Sequence, residues 1–237
     1  MAELKLFDSL DLRIELDRLR SRELNFEPSD LPLLRDNPAW TLDRYDIALP
    51  TERLGDPVDG GSWWVARRLC TLYEFVDPAI IRAYYDPEDP FEGRTMLLEI
   101  VFWRFRIYAG VRVGEEFDGH RTEGGRPARV WAWNYQTLSG HFETGRIDYE
   151  VWKWLDTGEV EFRIDAVSKA ADPGNFVVGL GFRLFGRRKQ VQFARQACRR
   201  MAQLTREALG RGVNLKPSIT DEGLAVGPDP RRDHRTS

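Results

Sequence analysis

Cysteine and histidine are scarce in this chain, with two and three residues respectively among 237. So few cysteines exclude a disulfide-stapled scaffold. Cys70 and Cys198 each lie in an apolar-periodic segment, the setting of a buried thiol in a reducing compartment. Neither combines with His120, His141 or His234 at metal-ligand spacing, and no cofactor is expected. Long apolar runs are also missing: nothing approaches the ~20 consecutive apolar residues of a membrane span. Met1 to Glu15 alternates charge with Leu and lacks the apolar core of a secretory signal, so a cytoplasmic location is expected. There is no internal repeat. The net charge is only −3, which argues neither for nor against a nucleic-acid partner.

What the chain has in quantity is aromatic side chains, at 12%, beside ordinary apolar (42%) and charged (31%) fractions. Its length suits one domain with a sizeable core, or two small ones. Leu12, Leu16 and Leu19 fit a helical stripe, and dense Asp, Arg and Glu favour helix over the strand alternation the same segment would allow. Trp40 to Leu49 reads as a first strand, ended by Pro50. Ser62 is placed to cap a helix running to about Phe75. Asp77-Pro78 is a helix-start signal, so a second helix carrying Ile80, Ile81 and Tyr84 is expected before Pro87. Asp86 to Gly93 is an acidic segment; its spacing is not that of a calcium loop, and a solvated connection is expected.

Strand patterns dominate the middle of the chain. Met96 to Tyr108 alternates as one strand, Gly110 allows a turn, and Val111 to Phe117 returns. Asp118 to Pro127 reads as a flexible loop holding a solvated His120. Arg129 to Lys169 is the densest run: three strand-like segments with two breaks and four of the eight tryptophans. Its last strand alternates most cleanly, with Val160, Phe162, Ile164 and Ala166 inward. Asp156-Thr157-Gly158 is a hairpin turn. Arg187 to Leu209 carries a long helical stripe of Val191, Ala194, Cys198, Met201, Thr205 and Ala208. Six strands are thus legible, followed by one long amphipathic helix. An α+β fold follows, with a curved antiparallel sheet covered by that helix.

Three groups of residues could carry function. His141 and Glu143 stand two apart at a strand connection, so both side chains can reach one face. A carboxylate that orients an imidazole and raises its basicity makes a proton-transfer pair. The location suits at least as well a turn in which both side chains tie down loose backbone groups. The second group is aromatic: Trp103, Phe105, Trp131, Trp133, Tyr135, Tyr149 and Phe162 on the sheet, facing Phe193, Met201 and Leu204 on the helix. These either line a pocket or interdigitate as core. Periodicity leaves open which sheet face turns inward, because Trp152 and Trp154 lie opposite Tyr149 and Val151. The third group is basic: Arg183 to Arg211 holds nine Lys or Arg, among them Arg187, Arg188, Lys189, Arg195 and Arg199, against one acid, Glu207. No nucleic-acid motif accompanies it, and a solvated face is expected, not a nucleic-acid partner.

The order of elements resembles the helix-grip fold of the START-like superfamily. The stretch Tyr135-Gln-Thr-Leu138-Ser-Gly140-His141-Phe-Glu143-Thr-Gly145, with Gly158 to Ser168 and Gly181 to Gln190, is similar to the uncharacterised family called domain of unknown function nineteen-ninety. The resemblance covers about Trp40 to Leu209 and implies a fold without a reaction. The superfamily's sheet usually has one strand more than the six legible here. Superfamily members often hold an apolar ligand between sheet and helix, so the resemblance implies an apolar or aromatic small molecule as partner. It also implies a helix-grip domain (40–210) after an N-terminal extension (1–39), and the Pro, Gly, Asp and Arg content from Lys216 indicates a flexible tail (211–237).

Overall fold

The computed structural model describes residues 11–30, 37–102, 105–170, 187–211 and 215–229. Helix α1 spans Leu12–Arg20, opened by the Asp11 carboxylate accepting from the Ile14 amide at 2.9 Å. Helix α2 spans Ser62–Thr71. Its expected Ser62 cap is not made; Glu52 reaches in from the preceding loop and accepts from the Trp63 amide at 2.8 Å. The helix also stops short of Phe75. Tyr73 takes a left-handed backbone (φ 58), which bonds its own amide to Cys70 O and the Glu74 amide to Leu69 O, each at 2.9 Å. Helix α3 spans Arg187–Arg211.

The α+β expectation holds. Among the described residues nine strands form one antiparallel sheet in the order β1-β7-β6-β5-β4-β3-β2-β9-β8. They are β1 (Thr41–Leu49), β2 (Ile81–Tyr85), β3 (Thr95–Phe102), β4 (Phe105–Glu123), β5 (Arg126–Thr137), β6 (Glu143–Trp154), β7 (Val160–Ala170), β8 (Ser218–Ile219) and β9 (Ala225–Gly227). Four sequence expectations are corrected. Asp77 starts a turn and no helix, its carboxylate accepting from the Ala79 amide at 2.9 Å, and Ile81 onward is strand. Met96 to Tyr108 is two strands, with Phe102 paired to Phe105. Asp118 to Pro127 is mostly strand, and Gly124 and Gly125 (φ 59 and 79) alone make the turn. Residues 218–227 of the expected flexible tail form the β8–β9 hairpin, and β9 pairs with β2.

The two faces of the sheet are covered differently. The inner face carries Met96, Leu98 and Ile100 of β3, Trp131 and Trp133 of β5, Tyr149 and Val151 of β6, and Phe162 of β7. It packs on α2 and α3 in one continuous core. The alternating residues Tyr84, Leu97 and Val226 point the other way and, with Leu138 and Leu224, receive Leu16 and Leu19 of α1. Gly110 lies under this contact: a Cβ there would come within 2.5 Å of Leu19, so the missing side chain admits the helix and makes no turn. The acidic segment is not freely solvated, because Asp86 and Asp89 bind Arg20, and Asp86 also binds Arg13. Further along the outer face Trp152 and Trp154 are capped by guanidinium groups, Arg163 at 4.1 Å over Trp152 and Arg126 at 4.4 Å over Trp154.

Candidate functional site

The space between sheet and helices divides into a filled end and an open end. At the filled end α2 drives Trp63 and the following turn drives Tyr73 and Phe75 against the sheet aromatics. Phe75 lies 4.9 Å from Tyr149 and 5.3 Å from Phe162, centroid to centroid, and Trp133 stacks on Tyr149 at 4.9 Å. Trp63 donates from its indole to Val151 O at 3.1 Å. A buried ion pair pins the start of α2 to β6: Lys153 Nζ lies 2.7 Å from Glu52, whose second oxygen holds the Trp63 amide. Trp131, Trp133, Tyr149, Phe162 and Met201 are therefore packed core and do not border the cavity between sheet and α3. That corrects the expectation of a broad aromatic-walled pocket. Trp103 lies outside the described residues, as does the side chain of Phe105.

At the open end, beyond the reach of α2, lies a cavity of about 90 Å³. Its apolar wall is Tyr45 of β1, Ile81 of β2, Leu98 and Ile100 of β3, Ile164 of β7 and Phe193 and Ala194 of α3. Tyr135 and Phe193 are the two expected aromatic residues that do border it. His141, Glu143, Thr137 and Gln190 add polar groups. The cavity thus draws on both edges of the sandwich.

His141 and Glu143 meet here, but not as a proton-transfer pair. The His141 Nδ1 lies 3.0 Å from the Glu143 amide nitrogen and 3.1 Å from the Glu143 carbonyl oxygen, so the ring is tied to the Glu143 backbone whichever nitrogen carries the proton. Burial pushes the imidazole down to about 4, so it is neutral near pH 7. The Glu143 carboxylate turns away to α3 and accepts from Gln190 Nε2 at 2.6 Å. Burial raises its proton affinity, and the Gln190 bond partly offsets that. Among the described residues no hydrogen bond joins the Glu143 carboxylate to the imidazole, so the basicity expected of the pair is absent. The backbone on either side is fixed independently: Asn25 donates to Glu143 O at 2.9 Å, and Thr137 Oγ1 accepts from the Gly145 amide at 2.9 Å.

Sequence reasoning missed Tyr45, Ile147 and Gln190. Gln190 carried a readable signal: it falls three residues before Phe193 and four before Ala194 on the buried stripe of α3, a polar residue at a core position. The basic group is divided. The side chains of Arg187, Arg188 and Lys189 lie outside the described residues, Arg195 and Arg199 are exposed, and Arg200 donates to Glu74 O at 3.0 Å. His120 is on strand β4, exposed, and 3.7 Å from Asp56. Among the described residues no three His, Cys, Asp or Glu side chains are grouped to hold a metal ion, and no helix is long and apolar enough to cross a membrane.

Comparison with known proteins gives a family and an outline. No curated protein matches the chain in sequence. Among solved structures, a norcoclaurine synthase point mutant from Thalictrum flavum, in complex with a transition state analogue, is 8% identical. The overlap covers 72% of this chain and 96% of that one at a TM-score of 0.45. The major latex-like protein 151 from Panax ginseng is 8% identical over 70% of this chain and 97% of its own, at 0.40. Ara h 8.0201 is 9% identical over 69% and 99%, at 0.37. Likeness at this level brings no ligand or reaction to this chain. A family model does match, over residues 35–200, across the motif from Tyr135 to Gly145 and most of the sheet. The chain belongs to the family described as Domain of unknown function (DUF1990).

Proposed function

We propose that the protein binds a small, mainly apolar molecule, or the apolar end of a larger one, between the open end of the sheet and α3. The observation that carries this reading is the cavity itself: an apolar wall interrupted at one side by His141, Glu143 and Gln190. Ligand sites typically combine an apolar lining with a few placed polar groups. At about 90 Å³ the space is smaller than the ~150 Å³ engineered cavity that admits benzene, so it takes a compact group. His141 and Glu143 serve as hydrogen-bonding wall, the imidazole through Nε2 and the carboxylate as acceptor. A proton relay is not favoured, because the imidazole is oriented by backbone and held neutral.

Native mass spectrometry of the protein purified from its own host tests the reading. A co-purifying mass is expected on the wild type and not on Ala194→Phe, whose ring would fill the cavity from α3. Loss of nothing on that substitution, with the variant folded, would place any ligand elsewhere and end the proposal.

A further inference from the structure

Carboxylates withdrawn from water elsewhere in this protein are met at close range. Glu52 has the Lys153 ammonium at 2.7 Å. Glu99 has Arg106 at 2.8 Å and the Tyr84 hydroxyl at 2.9 Å. Glu74 accepts from the Asp229 amide with both oxygens, at 3.3 and 3.2 Å. Such partners are the general remedy for a charge that has lost its hydration.

Glu143 departs from this pattern, and it does so on the cavity wall. Its carboxylate is desolvated enough to raise its proton affinity. Among the described residues its one side-chain partner is the neutral amide of Gln190, which donates to Oε1 at 2.6 Å. Oε2 accepts from nothing there, and no guanidinium or ammonium stands against it. The other charged and titratable groups of the lining do not supply the missing cation. Arg146 borders the cavity, but its Nε and Nη2 both donate to the Asp148 carboxylate. The His141 imidazole is neutral near pH 7, because burial pushes it down to about 4. Asp43 adds a second carboxylate, bonded to the Tyr45 hydroxyl at 3.3 Å.

Gln190 completes the arrangement. Only its amide nitrogen can donate to a carboxylate, so the Glu143 contact fixes which way the amide faces. Its carbonyl oxygen is left over as an acceptor, on the same wall as Glu143 Oε2. Two acceptors, one of them charged, thus stand beside an apolar space. The rings of Tyr45, Tyr135 and Phe193 border that space as well, and aromatic rings attract a cation.

We infer that Glu143 and Gln190 form the polar end of the site and that the bound molecule is a compact aliphatic amine, held as its ammonium ion. This rests on the binding site proposed above and names its ligand class. The ammonium takes the place that Lys153 and Arg106 fill beside Glu52 and Glu99. The alkyl body lies against Ile100, Ile164 and Phe193.

Three probes on one branched skeleton test it: isobutylamine, isobutanol and isobutyrate, followed by ligand-observed NMR at pH 7 on the wild type and on Glu143→Gln. The amine is protonated at that pH. It is expected to bind the wild type at least about 10-fold more tightly than the alcohol, with the carboxylate weakest. In Glu143→Gln the amine should fall to the level of the alcohol, whose own affinity should not change. Glutamine keeps the shape and can still accept from Gln190, so the melting temperature should hold. Carbon-13 at the Glu143 Cδ should shift on addition of the amine to the wild type, a readout that needs no variant to fold. If amine and alcohol bind equally and the substitution changes neither, the amine site is overturned while the cavity reading stands. Preference for isobutyrate would overturn it in favour of recognition through Arg146. If no probe binds the wild type it is overturned too, and the host-purified protein still decides the cavity reading separately.

Discussion

The same sheet face is solid at one end and hollow at the other, and the difference is one short helix. Where α2 stands, Trp63 and the turn after it fill every gap between sheet and α3. Beyond it, among the described residues, α3 covers the strands, and its residues there are Gln190, Phe193 and Ala194, a polar residue and a small one beside a single ring. An apolar sheet face does not by itself imply a pocket. The pocket is set by where the covering layer runs out of bulk.

Removing the pin that holds the filled end should have the largest effect. Lys153 is fully buried and Glu52 nearly so, and breaking a buried pair by deleting one partner costs about 3–5 kcal/mol. Lys153→Met should lose that much in denaturant unfolding, with partial recovery in Lys153→Met/Glu52→Gln. A loss within experimental error would mean that α2 is not fixed through this pair. The next test compares truncations at the two ends. Phe75→Ala leaves a void among Tyr149, Phe162 and Tyr73 and should cost about 3–5 kcal/mol. Phe193→Ala, whose ring already borders empty space, should cost roughly half as much. Equal costs would erase the distinction between solid and hollow.

A further test is a pH dependence confined to the hollow end. His141 stays neutral in the folded chain down to about pH 4, whereas its ordinary value is 6.5. Between those values the unfolded chain binds the extra proton, so stability falls as pH drops from 6.5 to 4, by at most about 3 kcal/mol, and levels off below. Glu143 acts in the opposite sense: its raised carboxyl takes up a proton earlier in the folded chain and offsets part of the loss. Stepped-pH unfolding should be flatter in His141→Asn, which can still accept from the Glu143 amide, and steeper in Glu143→Gln. Three superimposable profiles would show that neither group is buried as described.

Much of the architecture is readable in the residues, and the failures have physical causes. The β7 alternation, the Gly158 turn and the α3 stripe are strong because each runs long enough to repeat its period. The five residues of β2 are too few to tell strand from helix, and the Asp-Pro signal that precedes them serves a turn as well as a helix. The break between β3 and β4 carries no glycine or proline, only Trp103 and Arg104, so no turn chemistry marks it. Gly110 misleads because its glycine answers a contact made by Leu19, some ninety positions away in sequence. The candidate site is partly legible: His141, Glu143, Tyr135 and Phe193 are found from the residues alone. The division of the aromatics between core and cavity is not, because it depends on the reach of α2, which is a property of three-dimensional packing. Tyr73 is invisible for a related reason, since nothing in its neighbours announces a left-handed backbone.

The hairpin of β8 and β9 has a meaning beyond completing the sheet. Without it the boundary strand would be β2, whose run of Ile81, Ala83, Tyr84 and Tyr85 around a single Arg82 is a bare row of backbone donors and acceptors flanked by apolar side chains. Such edges recruit strands from other molecules. β9 pairs with Ala83, Tyr84 and Tyr85, and β8, only two residues long, then presents too little backbone to extend the sheet further. At the opposite edge β1 alternates Asp43, Arg44 and Asp46 among its apolar residues, a charged border of the kind that discourages pairing. The last described stretch of the chain thus keeps one molecule's sheet from becoming the template for the next.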